Sequence, residues 1–176
     1  KRYPRRSAIA RAVGLRPGMA VADVGAGTGL FVDFFARDVE LSGRVYAVEI
    51  APRFIERLQE RARSRGLSQV KTVLCTTRDV SLPESSVDVV FTCATYHHFE
   101  HPQATLASIH KALRPGGKLV IVDFERIPGV TREWVLGHVR CGKSTVIEEV
   151  TAVGFKFGEA VDVGLRENYF VSFTKI

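Results

Sequence analysis

The sequence predicts an open, doubly wound α/β sheet, mostly parallel and closed by an antiparallel hairpin. Three observations carry this. Short apolar runs alternate with stretches of helical period along most of the chain; the first run, Val21-Ala22-Asp23-Val24, passes straight into the glycine loop Gly25-Ala26-Gly27-Thr28-Gly29; and the last two runs have no helical stretch between them. Strands that alternate with helices are joined by right-handed crossovers, which lay the strands parallel and put helices on both faces. Ligands of such sheets bind at the carboxyl ends of the strands, near the switch point beside the first one.

With 176 residues the chain is long enough to bury a core as a single domain, 1–176. No apolar run approaches the roughly 20 residues a spanning helix needs, so no membrane span is expected. Cys75, Cys93 and Cys141 are too few for a disulfide framework and are not paired as in a zinc site. Reduced thiols and a cytoplasmic location are therefore expected. Because the chain begins at Lys1 rather than Met, a fragment or processed form is expected, and an upstream targeting segment stays open. The net charge is +6, concentrated in Lys1-Arg2, Arg5-Arg6 and Arg11 and again between Arg53 and Arg65. In the second group Glu56 and Glu60 are interleaved, the pattern of a solvated helix face rather than a nucleic-acid surface.

Residues 3 to 14 alternate basic and small apolar positions, with Ile9 and Val13 one turn apart and Gly14 as a stop, which predicts a short helix over the sheet edge. Arg16-Pro17-Gly18 then turns into a first strand, Ala20 to Val24, whose continuous apolar character suits burial on both faces. Leu30, Phe31, Phe34 and Phe35 recur at helical spacing up to the Leu41-Ser42-Gly43 turn. Arg44 to Val48 is the second strand, closed by Glu49. Pro52 suits a first helical turn, and Phe54, Ile55, Leu58 and Ala62 form a stripe that Gly66 stops. Val70 to Leu74 and Val87 to Cys93 are the third and fourth strands, with a turn at Pro83-Glu84-Ser85-Ser86 between them. Pro102 opens a helix with Leu106, Ile109, His110 and Leu113 on one face, ended by Arg114-Pro115-Gly116-Gly117, and Lys118 to Phe124 is the fifth strand. Residues 125 to 143 show no clear period; a connection this long inside a compact domain predicts a functional loop or lid. Thr145-Val146-Ile147-Glu148 matches a capping box, and the helix it predicts runs to Gly154. Phe155 to Val163 and Asn168 to Thr174 read as two strands joined by a short turn.

The glycine spacing narrows the ligand. A dinucleotide fingerprint needs Gly-x-Gly-x-x-Gly, but Leu30 stands where its third glycine belongs. Asp23, just before the loop, would repel a pyrophosphate and hold an ammonium group. Glu49 is placed like the acid that accepts from two ribose hydroxyls in doubly wound folds. Each acid has a local alternative: Asp23 bonding its own turn, and Glu49 complementing a helix dipole.

These features resemble the class I S-adenosylmethionine-dependent methyltransferases. The residues that carry the likeness are Val21 to Gly29, Val48-Glu49, the Leu82-Pro83-x4-Asp88 strand entry, and Leu113-Arg114-Pro115-Gly116-Gly117-Lys118-Leu119, in that family's order over about residues 17 to 124. The resemblance implies a Rossmann-like sheet of seven strands, six parallel with one antiparallel strand inserted. It implies that Asp23 and the loop Gly25, Ala26, Gly27, Thr28 and Gly29 hold the methionine part of S-adenosylmethionine. Glu49 would take the ribose and Ile50 one adenine face, and Ala94 ends the fourth strand beside the cofactor. Where the family often has an acid for the adenine amino group this chain has Thr76, so Thr77, Asp79 or a backbone N–H of that loop is expected to serve.

Methyl transfer is an in-line displacement that needs alignment, and a base only when the acceptor must lose a proton. His97 or His98, after the fourth strand, is the candidate base, with capping or packing as the alternative. No metal site is expected: His97, His98 and His101 have neither a completing carboxylate pair nor the spacing of a helical ligand pair, and Asp123 alone makes no magnesium site. The Asn/Asp-Pro-Pro-aromatic motif of base-amino methylation is absent and Cys93 lacks a Pro-Cys context, so nucleic acid is disfavoured as acceptor. The run Thr95 to Glu100 and the stretch Glu133 to Arg140 resemble uncharacterised bacterial methyltransferases akin to those acting on quinone precursors. Tyr96, Trp134, His138, Arg140 and Tyr169 are accordingly expected to line a small-molecule acceptor pocket. The function expected is methyl transfer to such an acceptor. A non-catalytic cofactor-binding protein is the main rival; a nucleic-acid methyltransferase and an NAD-dependent oxidoreductase stand behind it.

Overall fold

A computed structural model describes residues 5–176; Lys1-Arg2 and the first residues of the expected N-terminal helix lie outside the described residues. After α1 (Arg6–Val13), the chain runs β1 (Ala20–Val24), α2 (Val32–Val39), β2 (Arg44–Glu49), α3 (Pro52–Ser64), β3 (Val70–Leu74) and β4 (Val87–Cys93). A 3-10 turn at Tyr96–His98 leads to α4 (Pro102–Ala112) and β5 (Leu113–Phe124). The remainder is α5 (Glu133–His138), α6 (Lys143–Thr151), β6 (Phe155–Ala160) and β7 (Asn168–Lys175). The seven strands take the order β3-β2-β1-β4-β5-β7-β6. β1 pairs in parallel with β2 and β4, and β4 with β5, whereas β7 is antiparallel to both neighbours. The order reverses between β1 and β4, which opens a crevice at their carboxyl ends.

Alternate residues of each strand point to opposite faces, and the core divides accordingly. Ala20, Ala22 and Val24 of β1 face α4 and α6 in one cluster with Leu106, Ile109 and Val150; Val21 faces the other, with Ile9, Phe35 and Leu58 of α1, α2 and α3. In that second cluster Phe91 presents its ring edge-on to Phe31 and Phe35, with centroids 4.8 and 5.1 Å away. Truncating so enclosed a ring leaves a cavity as well as lost contacts. Phe91→Ala is expected to lower unfolding free energy by about 3–5 kcal/mol in urea titration, and a loss under 1 kcal/mol would show that this triad is not a packing centre.

Several boundaries differ from the sequence expectation for local reasons. α1 does not lie over an edge: Ile9, Ala10 and Val13 are buried in the cluster with Val120 and Phe170 of the central strands, and the Lys118 ammonium donates to the Val13 carbonyl at 2.5 Å. β5 starts at Leu113, not Lys118. Leu113 pairs with Val87 and Lys118 with Val89, so Arg114 to Gly117 bulge opposite Asp88 alone. Asp88 fixes that end by accepting the Ala20 N–H at 2.8 Å and pairing with Arg114 at 2.7 Å. Thr145 does not cap α6, because the helix already begins at Lys143 after Gly142. β6 stops at Ala160, short of Val163, and the 125–143 stretch contains one short helix, α5.

Candidate active site

Positive φ values at Gly25, Gly27 and Gly29 let the chain turn tightly off β1. At Gly25 the reason is also steric: a Cβ there would stand 2.3 Å from Thr95 Oγ1. The loop is pinned to β2, since the Gly25 and Ala26 N–H groups both donate to the Val48 carbonyl, at 2.9 and 3.1 Å. Glu49 completes the link. Its Oε2 accepts from the Gly27 N–H at 2.9 Å, and its Oε1 accepts from the Ile50 and Ala51 N–H groups at 2.8 and 3.1 Å. The helix-start role weighed for Glu49 is thus realised, and the same bonds aim the carboxylate at the crevice.

Asp23 is 3% exposed, and no hydrogen bond to its carboxylate forms among the described residues. Burial first, and the neighbouring Glu49 charge second, push its pKa up from 3.8 to about 7. The alternative of an Asp satisfied by its own turn is therefore not what the structure contains. A buried acid in this condition is stabilised by a cation.

A cavity of about 420 Å³ lies over these strand ends, within the range of small-ligand sites, roughly 300–1,000 Å³. Val24, Gly25, Glu49 and Ile50 form one wall; Cys75, Thr76, Thr77 and Val80 form the end beyond β3. Thr95, His98, Phe99, Glu100 and Thr105 close the side beyond β4. Desolvation, then Glu49, raises the Cys75 thiol to about 11, so it serves as a neutral wall. Thr76 Oγ1 accepts from the Arg78 and Asp79 N–H groups, and the Asp79 carboxylate accepts from the Ser81 N–H at 2.7 Å. Asp79 is turned into its own loop and does not line the cavity. Ala94, with φ 51, sits at the end of β4 with its N–H donating to the Val122 carbonyl at 2.8 Å, and this strained bend brings Thr95 against Gly25.

The two histidines after β4 part company. His97 is buried, its Nδ1 2.7 Å from Asp123 Oδ1 and its N–H donating to Asp123 Oδ2 at 3.1 Å. His98 lines the cavity, and burial together with His97 and His138 lowers its pKa. The His138 ring, from α5, packs edge-on to both, at 5.2 and 5.0 Å between centroids. His101, the third histidine near this pair in sequence, only precedes α4.

Tyr96 and Tyr169 correct the acceptor expectation. Both belong to the buried core cluster and neither lines the cavity. The Tyr96 hydroxyl donates to Glu149 Oε2 at 2.6 Å, and Arg140 holds the same carboxylate through both oxygens, at 2.7 and 2.8 Å. Arg140 is therefore a clamp between the 125–143 stretch and α6 rather than an acceptor contact. Tyr96→Phe is expected to cost about 1–1.5 kcal/mol of stability in thermal or urea unfolding, with cofactor affinity unchanged; a weakened affinity would return Tyr96 to the site. Trp134 is half-exposed, edge-on to Phe124 at 5.5 Å and 6.3 Å from His138. Of the residues expected to bind ligand, Gly25, Glu49, Ile50, Thr77 and His98 line the cavity, and Asp23, Ala26, Gly27, Thr28, Gly29 and Ala94 are not among its lining residues. Thr95 and Phe99, inside the run Thr95 to Glu100, line the cofactor cavity itself, and so does Thr105, which nothing in its spacing marks. The collision at Gly25 could have been found only with β1 and β4 side by side.

The methyltransferase-domain family matches residues 22–121 of this chain, from within β1 through the glycine loop and Glu49 into β5. The chain belongs to that family. It is 28% identical over 114 residues to the ubiquinone/menaquinone biosynthesis C-methyltransferase UbiE of Cupriavidus taiwanensis, covering 65% of this chain and 46% of that protein. The chain thus spans less than half the length of the curated relatives it matches. Its fold is similar to that of a SAM dependent methyltransferase from Aquifex aeolicus, with a TM-score of 0.87, 23% identity, and 97% and 89% of the two chains covered. It is also similar to that of geranyl diphosphate methyltransferase in complex with SAM, with a TM-score of 0.80, 16% identity, and 99% and 86% covered. At these identities the structural likeness is one of fold. Family and fold together make this a class I methyltransferase domain with S-adenosylmethionine as cofactor.

Proposed function

We propose that this methyltransferase domain transfers a methyl group to a small-molecule acceptor that meets the cofactor on the His98 side of the cavity. The observation that carries the reading is the cavity itself, which has the glycine loop and Glu49 on one wall and Thr95, His98 and Phe99 on the other. When bound, S-adenosylmethionine supplies an electrophilic methyl group. This chain's residues would do the holding. Asp23, buried and without a hydrogen bond among the described residues, would neutralise the ammonium of the methionine tail through the glycine loop. Glu49, held in place by three backbone N–H groups, would accept from the ribose hydroxyls with its remaining lone pairs. Ile50, Val80 and Phe99 offer an apolar slot for the adenine. With Asp79 held by Ser81, and with the Cys75 and Thr76 N–H groups donating to the Glu49 and Asp79 carbonyls, the polar contact to the adenine edge falls to the Thr77 N–H.

The acceptor side is built from aromatic and imidazole groups, His98, His138, Phe124 and Trp134, next to one another. Such a surface suits a planar or apolar small molecule more than a polyanion. The ubiquinone/menaquinone biosynthesis C-methyltransferase name of the relative supports an acceptor of quinone-precursor type. Calorimetry with S-adenosylmethionine, followed by turnover assays with phenolic and quinol acceptors, tests this. One cofactor per chain and acceptor-dependent conversion of the cofactor to its demethylated form are expected. Binding without turnover of any acceptor would favour the non-catalytic reading, and no binding would reject both.

A further inference from the structure

His97, His98 and His138 come from two segments 40 residues apart in sequence, yet one ring nitrogen of each lies within 4.8 Å of the others. His98 and His138 make no side-chain hydrogen bond among the described residues, so the cluster is not a satisfied polar network. His97 differs in being anchored. Its Nδ1 is taken by Asp123 Oδ1 at 2.7 Å, which leaves Nε2 as the nitrogen it can offer. Asp123 is itself fixed: Oδ1 also accepts from the Phe124 N–H at 2.8 Å, and Oδ2 from the His97 N–H at 3.1 Å. A carboxylate that orients an imidazole through the nitrogen not used for ligation is the usual support of a metal-bound histidine.

The geometry points to a divalent-metal site at the acceptor end of the cavity, made by His97, His98 and His138 and supported by Asp123. Nitrogens bound tetrahedrally to zinc at about 2.0–2.1 Å stand about 3.3 Å apart. Closing from 4.8 Å asks only rotation of His98 and His138, both of which are exposed. Three imidazoles and no carboxylate ligand select zinc, cobalt or nickel over magnesium or calcium. Three protein ligands also leave a fourth position open to an exchangeable ligand. Since His98 lines the cavity, that position belongs on the acceptor side, where the ion would hold an anionic donor atom of the acceptor. This last step rests on the proposed function; the metal site does not.

The test uses the chelator-treated full chain titrated with Zn²⁺ by calorimetry and with Co²⁺ by visible absorption. One ion per chain is expected, with the intense visible bands of four-coordinate cobalt. His138→Ala, on an exposed side chain, should weaken binding at least 100-fold. Asp123→Asn should weaken it by roughly 10- to 100-fold, as loss of a supporting carboxylate does, while His101→Ala should leave it unchanged. Absence of binding would overturn the site, as would equal affinity in His138→Ala, which would leave an adventitious ion only. Cofactor binding measured on the same samples keeps the outcomes apart: metal without S-adenosylmethionine binding sinks the proposed function alone, and the reverse sinks only the metal site.

Discussion

Gly25→Ala is expected to reduce S-adenosylmethionine affinity at least 100-fold and to lower stability by about 3 kcal/mol or more. Two costs combine. A side chain at φ +77 sits in the left-handed region, at about 1–2 kcal/mol. The added Cβ would also meet Thr95 Oγ1, Cγ2 and Cβ at 2.3, 2.4 and 2.8 Å. Thr95 has little room to move, because its hydroxyl donates to the Cys93 carbonyl at 3.1 Å and Ala94 before it is already strained. The loop would therefore be driven into the cavity that Gly25 and Thr95 line together. The two costs can be separated: adding Thr95→Gly to Gly25→Ala removes the collision and keeps the φ strain, whereas Thr95→Ala leaves the 2.8 Å contact with its Cβ. Calorimetry should find most of the affinity restored in the first double variant and not in the second. Equal affinities in both would mean that the collision is not what the glycine avoids.

Asp23→Asn should move binding and stability in opposite directions. The folded-state pKa of Asp23 is raised from 3.8 to about 7 by burial and by Glu49. A raised pKa means that the folded protein holds this proton more tightly than the unfolded chain does. The stabilisation is full below the unfolded value and is lost as pH climbs through the folded one. Between about pH 4 and pH 7 the protein therefore loses stability from this group as pH rises. Asparagine carries no charge to desolvate, so Asp23→Asn should be the more stable protein at pH 8 in urea titration. It should also bind S-adenosylmethionine roughly tenfold or more weakly, in line with about 1.5–3 kcal/mol for a charge-assisted contact. For the native residue a cationic ligand selects the ionised form. Affinity should thus rise with pH up to about 7 and level off above, with proton release on binding at pH 6. A pH-independent affinity, or a variant no more stable than the native protein at pH 8, would show that Asp23 is not the buried charge that meets the cofactor.

Much of this was legible in the sequence, and the reason differs between the parts. The strands β1 and β4 coincide with their apolar runs because strands buried on both faces need nearly continuous apolar residues, and β3 keeps its expected bounds as a half-exposed edge strand. Asp23 and Glu49 could be singled out because a charged residue at the end of such a run is costly to bury without a task. The fold family followed from several such motifs in a fixed order. Local signals misled where tertiary contacts compete with them. Thr145 has capping chemistry, yet α6 is already under way at Lys143. Arg114 to Gly117 is a helix stop and also a bulge, because Asp88 and Leu113 draw it into the sheet.

By itself the sequence determined the α/β class, the glycine loop and the two acids beside it, since periodicity and backbone permissiveness are properties of neighbouring residues. Which side chains surround the cavity was decided only by the tertiary structure. Tyr96, His97 and His98 are consecutive, but the 3-10 turn sends Tyr96 to Glu149, His97 to Asp123 and His98 to the cavity. His138 joins them across 40 residues because α5 folds back over the end of β5, a contact that no local period records.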